Sequence, residues 1–144
     1  MTTAAPTTTA AADPPIVDLG DLSGFDLVAA SLGDDPLTLA LADEPGLRSR
    51  GLMGVTDLGD VDGMLFTWGG DRVGNRFTMR NTLIPLTVLF FDVDGDLVSR
   101  ADMVPCQADP CPTYGAAGLY AYAVEFPADR EVDEQARLMV GPED

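Results

Sequence analysis

The chain of 144 residues has no histidine and no lysine, only two cysteines and a single tryptophan. Without histidine, no Ser-His-Asp or Cys-His relay can be assembled within the chain, nor any His-ligated zinc or haem. Catalysis here would have to use carboxylates, arginine, tyrosine or thiols. Positive charge is equally scarce: eight arginines face 24 acidic side chains, for a formal net charge of −16. Nucleic acid is excluded as a partner on that balance, because binding there relies on cations that displace condensed counterions. An anionic membrane surface is disfavoured for the same reason. The acidity fits codon bias or adaptation to salt as well as attraction of basic partners, since net charge governs solubility and encounter rather than fold. No apolar run approaches the roughly 20 residues of a membrane-spanning helix. The longest candidate, Leu83 to Phe91, is broken by Pro85 and Thr87 and reads as a buried strand.

What is present is enough for one core: 46% of the residues are hydrophobic, in a chain of single-domain length. Met1 to Pro15 is a Thr/Ala/Pro-rich stretch with little to bury, so residues 1–23 read as a disordered tail or linker and 24–144 as a single β domain. The tail lacks the cationic start and apolar stretch of a signal peptide. Spacers of this composition often stand between a membrane anchor and an exported domain, so a tether through a missing N-terminal anchor is one expectation. An ordinary cytoplasmic tail is the other.

Periodicity along the remainder favours strands. Leu37, Leu39 and Leu41 alternate with Thr38, Ala40 and Ala42, the pattern of a half-buried strand. Asp43-Glu44-Pro45 predicts the start of a short helix reaching from Leu47 to Met53, weakened by Gly46 and Gly51. Further strands are expected over Gly63 to Trp68, Arg76 to Met79, Leu119 to Phe126 and Ala136 to Val140. Leu86 to Asp92 and Asp96 to Ala101 flank Asp94-Gly95, a strong hairpin signal. The expected class is mainly β: a compact antiparallel sandwich or roll of jelly-roll character with one short helix.

Three segments go beyond composition: Arg48-Ser-Arg-Gly-Leu-Met53, Gly63-Met-Leu-Phe66 and Phe77-Thr-Met-Arg-Asn-Thr-Leu-Ile-Pro-Leu86, followed by Pro105-Cys106 and Cys111-Pro-Thr-Tyr114. Over about residues 37–140 this order resembles the small prokaryotic family known as domain of unknown function 192. The resemblance implies a compact β-sandwich of jelly-roll character, often exported, with no established activity. It therefore carries little chemistry. The chain departs from the family pattern at Thr78 (usually Trp), Arg80 (usually Lys), Thr87 (usually Asp) and Glu44 (usually Thr). If that Asp is catalytic in relatives, this chain should lack the activity.

Several candidate sites follow. Arg80, Asn81 and Thr82 precede an apolar strand, and Arg50 and Tyr114 are candidates to join them in a polar cluster recognising a carboxylate or sugar. The alternative is that Asn81 and Thr82 serve the backbone of a tight connection while the arginines pair with nearby acids. Cys106 and Cys111 can close a short disulfide in an oxidising compartment or remain thiols in a reducing one. No metal site is implied, because a two-cysteine zinc centre would need carboxylates as its other ligands. Asp92-Val-Asp-Gly-Asp96 fails the calcium-loop pattern in both registers, leaving a hairpin turn. Asp57, Asp60 and Asp62, with Glu125, are the acids that could supply a glycosidase pair. Met53, Met64 and Met79, with Phe66 and Phe77, read as core.

No cofactor is implied. The leading expectation is a non-catalytic binding or accessory domain of the cell envelope, its partner a small molecule or an envelope component, in an extracytoplasmic rather than cytoplasmic location. The alternative is an envelope-polymer-acting enzyme using carboxylate or Arg/Tyr chemistry.

Overall fold

The computed structural model describes residues 18–141. Nine strands and one short helix succeed each other: β1 (Asp26–Leu32), β2 (Asp35–Ala42), α1 (Pro45–Arg50), β3 (Gly63–Thr67), β4 (Phe77–Thr78), β5 (Leu86–Phe91), β6 (Leu97–Met103), β7 (Thr113–Tyr114), β8 (Tyr122–Pro127) and β9 (Leu138–Val140). Seven of them form one sheet in the order β6-β5-β8-β3-β2-β1-β9, and β4 pairs with β7 in a two-stranded ribbon. The mainly β architecture with one short helix is the expected one. Pairing is antiparallel except between β2 and β3, which run parallel. Parallel neighbours need a long crossover, and residues 43–62, carrying α1, supply it.

The sheet curls until its far ends meet: the Leu138 N–H donates to the Gly95 carbonyl at 2.9 Å, joining β9 to the β5–β6 hairpin. Inside the curl lie Val28, Leu39, Leu41, Leu65, Leu89, Phe91, Val124 and Phe126. The opposite face carries Ala40, Ala42, Met64, Phe66, Val88, Phe90 and Ala123, covered by Leu22, Phe25, Leu52, Val55 and Met79 from the connections. The central strands are therefore buried on both faces. β5, Leu-Thr-Val-Leu-Phe-Phe, is buried at every position, as a strand covered on both sides requires. β2 was expected to be half-buried, but its alanines face the second core cluster and are fully buried.

Differences from the sequence expectations are local and have local causes. The helix stops at Arg50 and does not reach Met53, because Gly51 takes a positive φ of 48° and its N–H closes onto the Leu47 carbonyl. The strand expected from Arg76 to Met79 shortens to two residues, and the one expected from Leu119 starts at Tyr122. Tyr120 instead makes an isolated bridge to Val73. The last strand is Leu138–Val140. Within the expected tail, residues 1–17 lie outside the described residues, but 18–23 belong to the fold. Leu22 is fully buried, and the Asp21 N–H donates to the Asp57 carbonyl at 2.8 Å while the Asp60 N–H donates to the Asp18 carbonyl. Among the described residues no helix is long and apolar enough to cross a membrane.

Candidate functional site

A cleft of about 570 Å³ opens between α1, the face of the sheet at β3 and β8, and the chain around β4. All three segments that carry the family resemblance meet there. From the first come Arg48, Arg50, Leu52 and Met53; from the second Phe66; from the third Phe77, Thr78 and Thr82. Each glycine of these motifs has a local reason. Gly51 ends α1 where a Cβ would approach the Phe66 ring at 3.6 Å, and a Cβ on Gly63 would lie 2.2 Å from the backbone oxygen of Glu125. Gly63 thus lets β3 and β8 approach closely, and β8 carries the most unusual side chain of the cleft.

That side chain is Glu125. Its neighbours in the ladder are Met64 on β3 and Val88 on β5, and strand alternation turns it toward the cleft with Ala123 behind it. Glu125 is only 4% exposed, and among the described residues no donor bonds its carboxyl. Burial alone pushes its pKa up to about 8, because removing water penalises the charged form. Glu125 is therefore neutral over most of the acid and neutral range.

Above this floor the walls are aromatic and the rim is cationic. Phe66 and Phe77 meet edge to face with centroids 4.9 Å apart, and Phe77 continues to Phe90 at 5.7 Å. The Arg48 guanidinium lies over the Trp68 ring at 5.4 Å and donates to the Thr67 carbonyl at 2.8 Å. Arg50 lies over Phe25 at 4.7 Å, and Arg76 donates from Nε to the Thr113 hydroxyl and from a terminal nitrogen to the Thr113 carbonyl. The Trp68 indole Nε1 is buried and has no hydrogen-bond partner among the described residues. Tyr120 packs against Trp68 at 5.5 Å. Burial raises its phenol pKa to about 12, and its hydroxyl donates to the Asn75 carbonyl.

The arginines divide into two groups. Arg80, Arg100, Arg130 and Arg137 pair with carboxylates. Among the described residues, Arg48, Arg50, Arg72 and Arg76 pair with none. Three of these four line the cleft. In a chain with three acids per arginine, half of the eight arginines thus stand without an acid partner among the described residues, and three of that half gather at one cleft.

The polar cluster expected from sequence is partly dispersed. Arg50 and Thr82 reach the cleft; Arg80, Asn81 and Tyr114 are not among its lining residues. Arg80 is exposed and paired with Asp109. Asn81 adopts a left-handed φ of 57°; its carbonyl accepts from the Gly54 N–H and its N–H donates to the Cys106 carbonyl. The Tyr114 hydroxyl accepts from the Val104 N–H at 3.4 Å. Of these, only the Tyr114 hydroxyl meets a backbone group through its side chain; the Asn81 bonds are those of its own backbone. Thr82 is buried, its hydroxyl donating to the Arg80 carbonyl at 3.4 Å. Arg48, Arg76, Phe66 and Trp68 were not anticipated as site residues. The sequence signal for Arg48 was its place at the head of the Arg48-Ser-Arg-Gly-Leu-Met53 segment, two residues before Arg50, which on a helix gives no shared face by itself.

The remaining candidates settle as follows. Cys106 and Cys111 are joined in a disulfide, Cα atoms 5.8 Å apart. Asp92 Oδ1 accepts from the Asp94 and Asp96 N–H groups, so the acidic run is a hairpin turn. Asp57 and Asp62 line a second cleft of about 580 Å³, away from Glu125. There Asp62 accepts from Arg130 and from the Thr38 N–H, and Asp60 accepts from the Asp18 N–H. Glu125 thus stands in a different cleft from Asp57 and Asp62. Thr87, standing where the family usually has Asp, is buried and donates to Asp102 across the β5–β6 pair at 3.3 Å.

Comparison with known proteins adds a family and two folds. Residues 28–137 match the family model of domain of unknown function 192, described as "Uncharacterized ACR". Among solved structures, a proposed transcription regulator from Sinorhizobium meliloti 1021 is 27% identical, with a TM-score of 0.69 over 81% of this chain and 95% of that one. A protein of unknown function from Novosphingobium aromaticivorans DSM 12444 is 25% identical, with a TM-score of 0.71 over 92% and 99%. No curated protein matches the chain.

Proposed function

The chain belongs to the domain of unknown function 192 family, and on that premise we propose that it is a binding domain of the cell envelope holding a small ligand in the cleft beneath α1. The carrying observation is the set of three arginines without acid partners on the rim of an aromatic-walled cleft. Its volume lies within the usual span of small-molecule sites, roughly 300–1,000 Å³. Guanidinium forks over stacked rings suit a carboxylate or a sugar. The envelope location is supported by the Cys106–Cys111 disulfide, since such bonds persist in oxidising compartments, and the Thr/Ala/Pro segment would serve as the spacer to an anchor. Regulation of transcription, proposed for the Sinorhizobium relative, does not transfer easily: a net charge of −16 repels the phosphate backbone.

The test of binding is a thermal-shift panel of envelope saccharides, peptides and small carboxylic acids. Stabilisation by at least one class, weakened in Arg48→Gln or Arg76→Gln, is expected; no shift with any of them removes the reading. The compartment is tested by intact mass of native protein with and without alkylation. Two alkylated thiols without prior reduction would count against export.

A second reading, hydrolysis of an envelope polymer, is favoured by Glu125 alone. A carboxyl with a pKa near 8 suits general acid–base work at neutral pH. Turnover that disappears in Glu125→Gln while ligand binding persists would establish it.

A further inference from the structure

We infer that the cleft takes a small oxyanion, in the first place a carboxylate on an aromatic or apolar body, and that its binding requires a proton on Glu125. The inference deepens the binding reading and rests on it. Two features fix the ligand's charge. The rim guanidiniums have no carboxylate partner among the described residues, and each spends only part of its five N–H donors on a backbone carbonyl or hydroxyl. The opposing demand comes from the floor. An ionised Glu125 would place a second negative charge, largely buried and without a hydrogen-bond donor among the described residues, against an incoming anion. Protonated, the same carboxyl offers one O–H donor to the ligand's oxygen. Only the neutral form is compatible with an anion seated between the rim and the floor.

The charged groups that line the cleft together with Glu125 can be named from each side. α1 contributes Arg48 and Arg50, and the chain before β4 contributes Arg76. The ladder neighbours Met64 and Val88 are apolar. No other ionisable side chain lines the cleft, so Glu125 is the one lining group that titrates between pH 7 and 9. Burial sets its midpoint near 8. An anion that binds only the protonated form therefore binds about tenfold more tightly at pH 7 than at pH 9, following the protonated fraction.

Calorimetric titration of the whole chain with benzoate, benzamide and sulfate at both pH values tests this. None of these probes changes charge over that range. The expected result is saturable benzoate binding, about tenfold weaker at pH 9, with benzamide at least tenfold weaker than benzoate at pH 7. Glu125→Gln should bind benzoate equally at both pH values, and Arg76→Gln, altered on the exposed rim, should weaken benzoate without affecting benzamide. Sulfate binding with the same pH dependence in place of benzoate would support the coupling and assign the ligand to tetrahedral oxyanions. Benzoate bound equally by the native chain at pH 7 and 9 would overturn the coupling, and benzamide binding as tightly would overturn the anion. Stabilisation by a neutral saccharide alone would defeat this inference and leave the binding reading standing. Silence from every probe would defeat both.

Discussion

Glu125 links strand geometry to pH. Its folded pKa of about 8 stands above the ordinary 4.5, so the folded state holds a proton that the unfolded chain releases. Its contribution is complete below pH 4.5 and is lost as pH rises to 8, at about 1.4 kcal/mol per pH unit inside that window. Glu125→Gln removes the slope. The variant should gain stability relative to the native chain between pH 5 and 8, whatever the other acids do, because their effects cancel in the difference. Chemical denaturation across that range measures it, and parallel stability curves would contradict the buried, unpartnered carboxyl. The position was visible in the sequence as a lone acid in Tyr122-Ala-Val-Glu-Phe-Pro127. Its burial was not, because period-2 alternation places a residue on a face without saying whether another element covers that face.

At the scale of elements, α1 and the segment before β1 are held by few, identifiable contacts. Glu44 occupies the N-cap with extended backbone angles but makes no side-chain cap bond. Glu44→Thr, restoring the residue usual in the family, should supply one and raise stability by about 0.5–1 kcal/mol. An unchanged denaturation midpoint would mean that packing alone holds α1. The segment before β1 is fixed by a device that the sequence displayed as a repeated tetrapeptide, Asp18-Leu-Gly-Asp21 and Asp57-Leu-Gly-Asp60. In each copy the first Asp accepts from the Gly two residues on, at 2.9 and 2.8 Å. The copies then exchange backbone hydrogen bonds through Asp21–Asp57 and Asp60–Asp18. The N–H groups of Thr56 and Asp57 also hold the Asp21 carboxylate below its ordinary pKa. The two glycines lie back to back: a Cβ on Gly59 would sit 2.2 Å from the Asp18 carbonyl oxygen, at a φ of 61°. Gly59→Ala should therefore cost roughly 2 kcal/mol or more. Gly69→Ala, at a similar φ of 68° but in open space, should cost about 1 kcal/mol. Equal losses would show that the clasp is conformational strain only. Composition assigned residues 18–23 to a tail, whereas the pairing of two distant tetrapeptides places them in the fold.

For the whole molecule, a curled sheet with two covered faces explains which expectations succeeded. The hairpin at Asp94-Gly95 announced itself, since its signal is local. The parallel β2–β3 pair and the dispersal of Arg80, Asn81 and Tyr114 depend on long-range closure, which no short window contains. The Cys106–Cys111 bond closes so short a loop that its removal should cost only about 2 kcal/mol. Cys106→Ser/Cys111→Ser should therefore stay folded with the cleft intact, as unchanged emission from Trp68 would confirm. A collapse of the fold would assign the loop a larger role. Trp68 is the single tryptophan of the chain and forms part of the cleft wall, so the tryptophan emission of the protein arises at that site. Titration of Trp68 emission with whichever compound raises the melting temperature is accordingly the direct test of the cleft as the binding site. The account predicts a saturable change with the same midpoint as the stabilisation, shifted to higher ligand concentration in Arg48→Gln. A stabilising ligand that leaves Trp68 emission unaltered through saturation would contradict it.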